Sequence, residues 1–183
     1  MEHVERVNRT LVHQGSILDI YEDEMELPDG KHETWDFVSH RLGAAAVVPV
    51  LNDGRILLVH QYRPALNRMT WEIPAGSRDH VQEDTKICAE RELREETGFA
   101  CQRMEKILSL RTTVAFCDES IDVYLATGLE RVGEQQLDEA EAIEIKAFSS
   151  KELMDKIYRG EIQDSKTVSG ILAAVIHLGE LEA

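Results

Sequence analysis

Cys88, Glu92, Glu95 and Glu96 are spaced so that, at roughly 100° per residue, they share one arc of a helix, with three carboxylates along a single face. Like charges three and four residues apart cost roughly 0.2–0.5 kcal/mol each on an exposed helix, so the cluster needs cations or arginines to offset it. Arg91 and Arg94 are at hand for that. Taken alone, the segment 90–96 reads first as a solvated helix laced with ion pairs. Taken as chemistry, it offers hard oxygen donors that suit Mg²⁺ or Mn²⁺, ions that keep waters and bridge phosphates.

The helix that must carry this face runs from about residue 83 to 97, with Gly98 as its C′ residue. Before it, Ala44-Ala45-Ala46-Val47-Val48-Pro49-Val50 is a continuous apolar run, and Asn52-Asp53-Gly54 supplies hairpin turn chemistry ahead of a strand over 55–62. Trp71-Glu72-Ile73-Pro74 is a short strand that stops at Pro74-Ala75-Gly76. Strands follow over 103–110, 121–126 and 142–148, the last with Glu144 and Lys146 outward. Two helices close the chain, one over 150–157 with Ser150 as a cap candidate, one over 164–181 with Val168, Leu172, Val175 and Ile176 at helical spacing. At the start, alternation over 16–22, 24–27 and 34–38 around the turn Pro28-Asp29-Gly30 predicts a small antiparallel meander.

With 183 residues the chain suits one globular fold with a genuine core. The start is polar and charged, and no apolar run reaches membrane-span length, so a cytoplasmic location without membrane attachment is expected. Cys88, Cys101 and Cys117 show no CxxC spacing and are read as reduced, mostly structural thiols, and the seven histidines form no zinc pattern. A net charge of −15 disfavours nucleic acid as a partner. It also means that an anionic substrate can approach only where bound cations or local arginines reverse the field.

The stretch Gly76 … Glu83-x7-Arg91-Glu92-Leu93-x-Glu95-Glu96-x-Gly98-Phe99 resembles the Nudix box, a loop-helix-loop that presents glutamates to divalent metal. It departs from the family pattern by one extra residue between Gly76 and Glu83, so that Gln82 is an alternative occupant of the first-glutamate position. The likeness extends to Glu26-Leu27-Pro28-Asp29-Gly30, Gln61-Tyr62-Arg63-Pro64, Trp71-Glu72-Ile73-Pro74-Ala75-Gly76 and Asp164-Ser165-Lys166-Thr167, which are similar to the ADP-ribose pyrophosphatase branch.

That resemblance implies an α+β fold: a small N-terminal antiparallel sheet (1–42) that contributes to a homodimer, then an α/β/α Nudix sandwich with a mixed sheet (43–183). It implies cleavage of ADP-ribose to AMP and ribose 5-phosphate. Glu92 and Glu96 would be the main ligands of Mg²⁺, with Mn²⁺ as substitute, helped by the carbonyl of Ala75 and by Glu95. Phe116-Cys117-Asp118-Glu119 matches a family loop that supplies another acid, which makes Glu119 the candidate base or extra ligand, against a solvated loop glutamate.

Arg63 is a candidate phosphate or sugar contact, because a guanidinium fork matches phosphate oxygens; it reads equally as a surface charge. Trp35 and Phe37 are candidates for stacking on a base, against packing or an interface. Thr112-Thr113-Val114-Ala115 departs from the Ser-Pro-Gly of the branch, which favours another nucleoside diphosphate sugar such as GDP-mannose as the alternative substrate. A catalytically silent, nucleotide-binding module is the alternative outside enzymes.

Overall fold

The computed structural model describes residues 3–137 and 142–179. In chain order the elements are β1 (Glu5–Gln14), β2 (Leu18–Glu26), β3 (His32–His40), β4 (Ala44–Pro49), β5 (Ile56–Arg63), β6 (Arg68–Glu72), β7 (Ala75–Ser77), α1 (Thr85–Thr97), β8 (Phe99–Arg111), β9 (Ser120–Arg131), β10 (Glu144–Phe148), α2 (Ser150–Tyr158) and α3 (Ser165–His177).

Every residue of β4 is buried, and a strand buried on both faces demands a covering layer on each side. Ala45 and Val47 point one way, into a cluster with Cys88, Ala89 and Leu93 of α1. Ala44, Ala46 and Val48 point the other way, into a larger cluster with Leu153 of α2, Ile171, Ala174 and Val175 of α3, and Ile56 and Leu58 of β5. The result is an α/β/α sandwich. Its central sheet runs β7-β4-β9-β8 and is mixed, since β4 pairs parallel with β9 while β7 and β8 add antiparallel. A second sheet, β10-β5-β6, is antiparallel throughout.

β1, β2 and β3 form a separate antiparallel meander. It is tied to the sandwich where Val38 N donates to Phe116 O at 2.7 Å, and where Ser39 Oγ and His40 N donate to the Asp118 carboxylate at 2.9 and 2.8 Å. Val7, Leu11, Val12, Leu18 and Ile20 of this sheet remain exposed in the single chain.

Several element bounds differ from the sequence expectation. The segments 16–22 and 24–27 are one strand, β2, because β1 and β3 pair along its whole length; β1 itself had no separate signal. Strand β6 ends at Glu72, and Ala75–Ser77 pairs instead with β4. α1 begins after Asp84, whose carboxylate accepts from Lys86 N at 2.8 Å, since Asp caps a helix far better than Glu. In α2 the cap is Ser149, not Ser150, because Glu152 completes a capping box with it. β8 and β9 outrun their expected ranges because each extends the other's ladder, which propensity alone does not register. The strand expected from 142 starts at Glu144. α3 ends at His177, and residues 180–181 of the expected helix lie outside the described residues. Among the described residues no helix is long and apolar enough to cross a membrane.

Candidate active site

Gly98, at φ 75°, stops α1 in the left-handed region as its C′ residue and donates to Arg94 O at 2.8 Å. The helix face that meets the sheet carries Cys88, Ala89 and Leu93, but also Glu92 and Glu96, each less than a tenth exposed. Burying carboxylates is costly unless each is paired and hydrogen-bonded. Glu92 Oε1 accepts from Arg91 Nη1 at 2.6 Å, and Glu96 Oε2 accepts from the backbone N–H of Ala75 at 3.1 Å.

Arg91 is the clamp of the cluster. Its Nη1 also donates to Glu95 Oε2 at 3.2 Å, and its Nη2 to Ser77 O at 3.0 Å. Burial opposes the charge on this guanidinium, yet Glu92 overrides it and holds Arg91 above its ordinary pKa. Among the described residues Arg91 Nε is buried without a hydrogen-bond partner, and the Glu83 carboxylate, at 3.6 Å, is its electrostatic one. Arg94, the other sequence candidate, is exposed.

The one-residue-longer loop before α1 is braced by side chains. Glu83 Oε2 accepts from Asp79 N at 2.8 Å, and Arg78 donates to Leu42 O at 2.5 Å and Val81 O at 2.7 Å. Gln82 is exposed, so Glu83 takes the place beside Arg91.

Where α1 approaches the 75–77 strand, a Cβ on residue 76 would lie 2.2 Å from Glu92 Oε1, so glycine is what lets the carboxylate sit against the backbone. The Cys88 thiol faces the carbonyls of Gly76 and Ser77, each 3.6 Å away. Burial pushes this thiol up to about 12, so it stays protonated and able to donate.

Three adjoining cavities make a cleft along this region. The acidic one, about 300 Å³, is lined by Ala75, Gly76, Glu92, Glu95 and Glu96. A middle one, also about 300 Å³, shares Ala75 and Gly76 with it and adds Thr112, Glu119, Arg63 and Lys166. The third and largest, about 410 Å³, shares Arg63 and Lys166 with the middle one and extends to Arg68 and Trp71. The carboxylates thus sit at the opposite end from the largest hollow. Glu119 stands on the middle section with its Oε1 3.9 Å from His40 Nε2.

Arg63 is not a loose surface charge. Its Nε and Nη2 donate to the two oxygens of Glu72, both at 2.7 Å, and Glu72 also accepts from Lys166 Nζ and, at 2.7 Å, from Thr70 Oγ1. Burial pushes the Glu72 carboxyl up, but the Arg63 fork and Lys166 override it and hold it down at about 2. Lys166 Nζ donates also to Asp164, the cap of α3, at 2.8 Å, and Thr167 Oγ1 accepts from Ile73 N at 3.0 Å. Sequence reasoning assigned no role to Glu72, Lys166 or Asp164. The signal for the first was an acid between Trp71 and Ile73 in a strand, which must find a cation once buried.

Among the described residues, Trp35 and Phe37 line none of the three cavities. Trp35 is 44% exposed, and its Nε1 donates to Glu33 at 3.2 Å. Phe37 carries the Arg9 guanidinium 3.8 Å from its ring centroid.

The donor set at the acidic end is all hard oxygen, from Glu92, Glu96 and the adjacent backbone of Ala75 and Gly76, and fits a hard divalent cation. Among the described residues no three His, Cys, Asp or Glu side chains converge as a ready-made ligand set. The geometry explains that: Arg91 holds Glu95 and Glu92, while Glu96 is drawn to Ala75 N–H. A bound cation at this end would therefore take two side chains plus backbone oxygen, with Arg91 giving ground.

Residues 40–169 match the family model described as NUDIX domain. The chain is 36% identical over 170 residues to the ADP-ribose pyrophosphatase of Mycobacterium tuberculosis, covering 92% of this chain and 82% of that one. It is 37% identical over 161 residues to the methanol dehydrogenase activator of Bacillus methanolicus, covering 87% and 86%. The crystal structure of an ADP compounds hydrolase superposes with a TM-score of 0.87 over 98% of this chain and 96% of that one, at 18% identity, which speaks to fold.

Proposed function

The chain belongs to the Nudix family, and from that membership we propose that it cleaves the diphosphate bond of ADP-ribose, to AMP and ribose 5-phosphate, using Mg²⁺. It is a hydrolase of nucleoside diphosphate sugars, and such hydrolases need a divalent metal. The observation that carries the proposal is the seating of buried Glu92 and Glu96 against the Ala75–Gly76 backbone, in a cleft that continues to Arg63 and Lys166. A substrate with two adjacent phosphates matches a cleft whose ends offer metal-binding oxygens and fixed cations.

Glu92, Glu96 and the Ala75 carbonyl would hold the metal, with Glu95 in support. A cation held there would supply neutralisation of the diphosphate charge and acidify the attacking water. Arg63 fixes a phosphate, and Glu119, on the middle section of the cleft, takes the proton of the attacking water. Trp35 and Phe37 lie on the N-terminal sheet, so they reach a base in a homodimer whose sheet from one copy closes on the cleft of the other. The exposed apolar side chains of β1 and β2 support that assembly.

The test is product analysis in ¹⁸O-water with ADP-ribose, with and without EDTA. AMP and ribose 5-phosphate, with label on one phosphate only and no turnover in EDTA, are expected; full turnover in EDTA rejects the mechanism. A matched panel including GDP-mannose decides the sugar. A second reading, a module that binds nucleotide to act on another protein, is favoured by the name of the B. methanolicus relative. Binding of ADP-ribose without turnover across the panel would select it. Sedimentation as a monomer would reject the dimer.

A further inference from the structure

Glu72 is 2% exposed and saturated: Oε1 accepts from Arg63 Nε and Thr70 Oγ1, and Oε2 from Arg63 Nη2 and Lys166 Nζ. Neither of the two cations it holds is wholly buried. The Arg63 side chain is 40% exposed and Lys166 retains 11%, and both line the middle and the largest cavities. The bonds to Glu72 use Nε and Nη2 of the guanidinium, so the donors on Nη1 are not spent on it.

A buried ion network is weak evidence for stability, because well-packed apolar residues often serve as well or better. What such a network supplies is orientation. A guanidinium held along one edge by a carboxylate keeps its plane fixed, and an ammonium held by Glu72 and Asp164 keeps its place. Donors fixed before substrate arrives need not reorganise when charge develops on a phosphate.

We infer that Glu72 is a positioning residue, which locks Arg63 and Lys166 as a two-cation site for the diphosphate, so that Lys166 is a second substrate-binding cation beside Arg63. This rests on the proposed function. The network also joins the end of β6 to the first turn of α3, three residues before the Ala75 backbone that meets Glu96. A purely structural Glu72 would serve that junction and leave substrate affinity alone.

The experiment measures kcat and KM for ADP-ribose at saturating Mg²⁺, with circular-dichroism melts, in Glu72→Gln, Glu72→Asp, Lys166→Met, Arg63→Lys and the double variant Glu72→Gln/Arg63→Lys. Expected are about tenfold rises in KM for Glu72→Gln and for Lys166→Met, partial rescue in Glu72→Asp, and a loss in the double variant smaller than the two single losses combined, because part of what Glu72 does is hold Arg63. The Mg²⁺ concentration for half-maximal rate stays that of the parent. A folded Glu72→Gln or a Lys166→Met with KM within about twofold of the parent, or additive losses in the double variant, would overturn the inference. Should Glu72→Gln fail to fold, Lys166→Met with and without Arg63→Lys decides, non-additive losses supporting it and additive ones not. If the parent hydrolyses no nucleoside diphosphate sugar, the functional proposal fails separately, and the same variants read by calorimetric Kd for ADP still decide the role of Glu72.

Discussion

The Cβ position of Gly76 lies 2.2 Å from Oε1 of Glu92, closer than any side chain allows. The strand that follows Pro74 and the carboxylate of α1 therefore fit only because residue 76 has no side chain.

Gly76→Ala pushes the Glu92 carboxylate off the backbone. Because the obstructing atoms are the far end of a flexible side chain, the fold survives with a small loss of melting temperature. The Mg²⁺ concentration for half-maximal rate should rise by roughly 10- to 100-fold, the scale on which misplaced support for a metal ligand acts. A metal titration of turnover checks this, and an unchanged midpoint would uncouple Gly76 from the metal.

Glu96→Gln should lose at least about a hundredfold in kcat while its far-ultraviolet spectrum stays that of the parent. Glu92→Gln should instead shift metal use first, read as a weaker Mg²⁺ midpoint. Metal dependence identical to the parent in Glu92→Gln would remove that residue from the ligand set.

Stability should respond to acid through Glu72. In the unfolded chain its carboxyl takes up a proton near its ordinary 4.5, whereas in the native fold it stays ionised down to about 2. The contribution is complete above the first value and falls away as the pH drops from 4.5 towards 2. Its size is about 3 kcal/mol. Urea unfolding of the parent and of Glu72→Gln across that window should show the gap between them closing with acid; a constant gap would contradict it.

Cys88 should resist a disulfide reagent at pH 8 for as long as the protein is folded. Its thiol is fully buried and held near 12, so almost no thiolate exists to react. Mass mapping after brief exposure should find label at Cys101 or Cys117 before Cys88, with Cys88 labelled in urea; early label at Cys88 would mean that α1 separates readily from the 75–77 strand.

The helix and its acid face were legible in the sequence because they depend on residues close together in the chain. Spacing puts Glu92, Glu95 and Glu96 on one side, Gly98 ends the helix, and the continuous apolar run at 44–50 marks a central strand. The N-terminal strands were legible only as a meander, because register and length come from pairing, and β2 exists as one strand through its neighbours on either side.

Sequence alone thus determined the glutamate helix and the chemistry those oxygens suit, since each follows from local periodicity and residue type, while the sandwich was implied only by the resemblance to the Nudix family. Tertiary structure decided which charges meet. Arg91 rather than Arg94 clamps the glutamates, Glu83 rather than Gln82 stands beside it, and Glu72 gathers Arg63 from β5 and Lys166 from α3, 94 residues away. Electrostatic partners are set by distance in space and by burial, and neither is written in the order of residues along the chain.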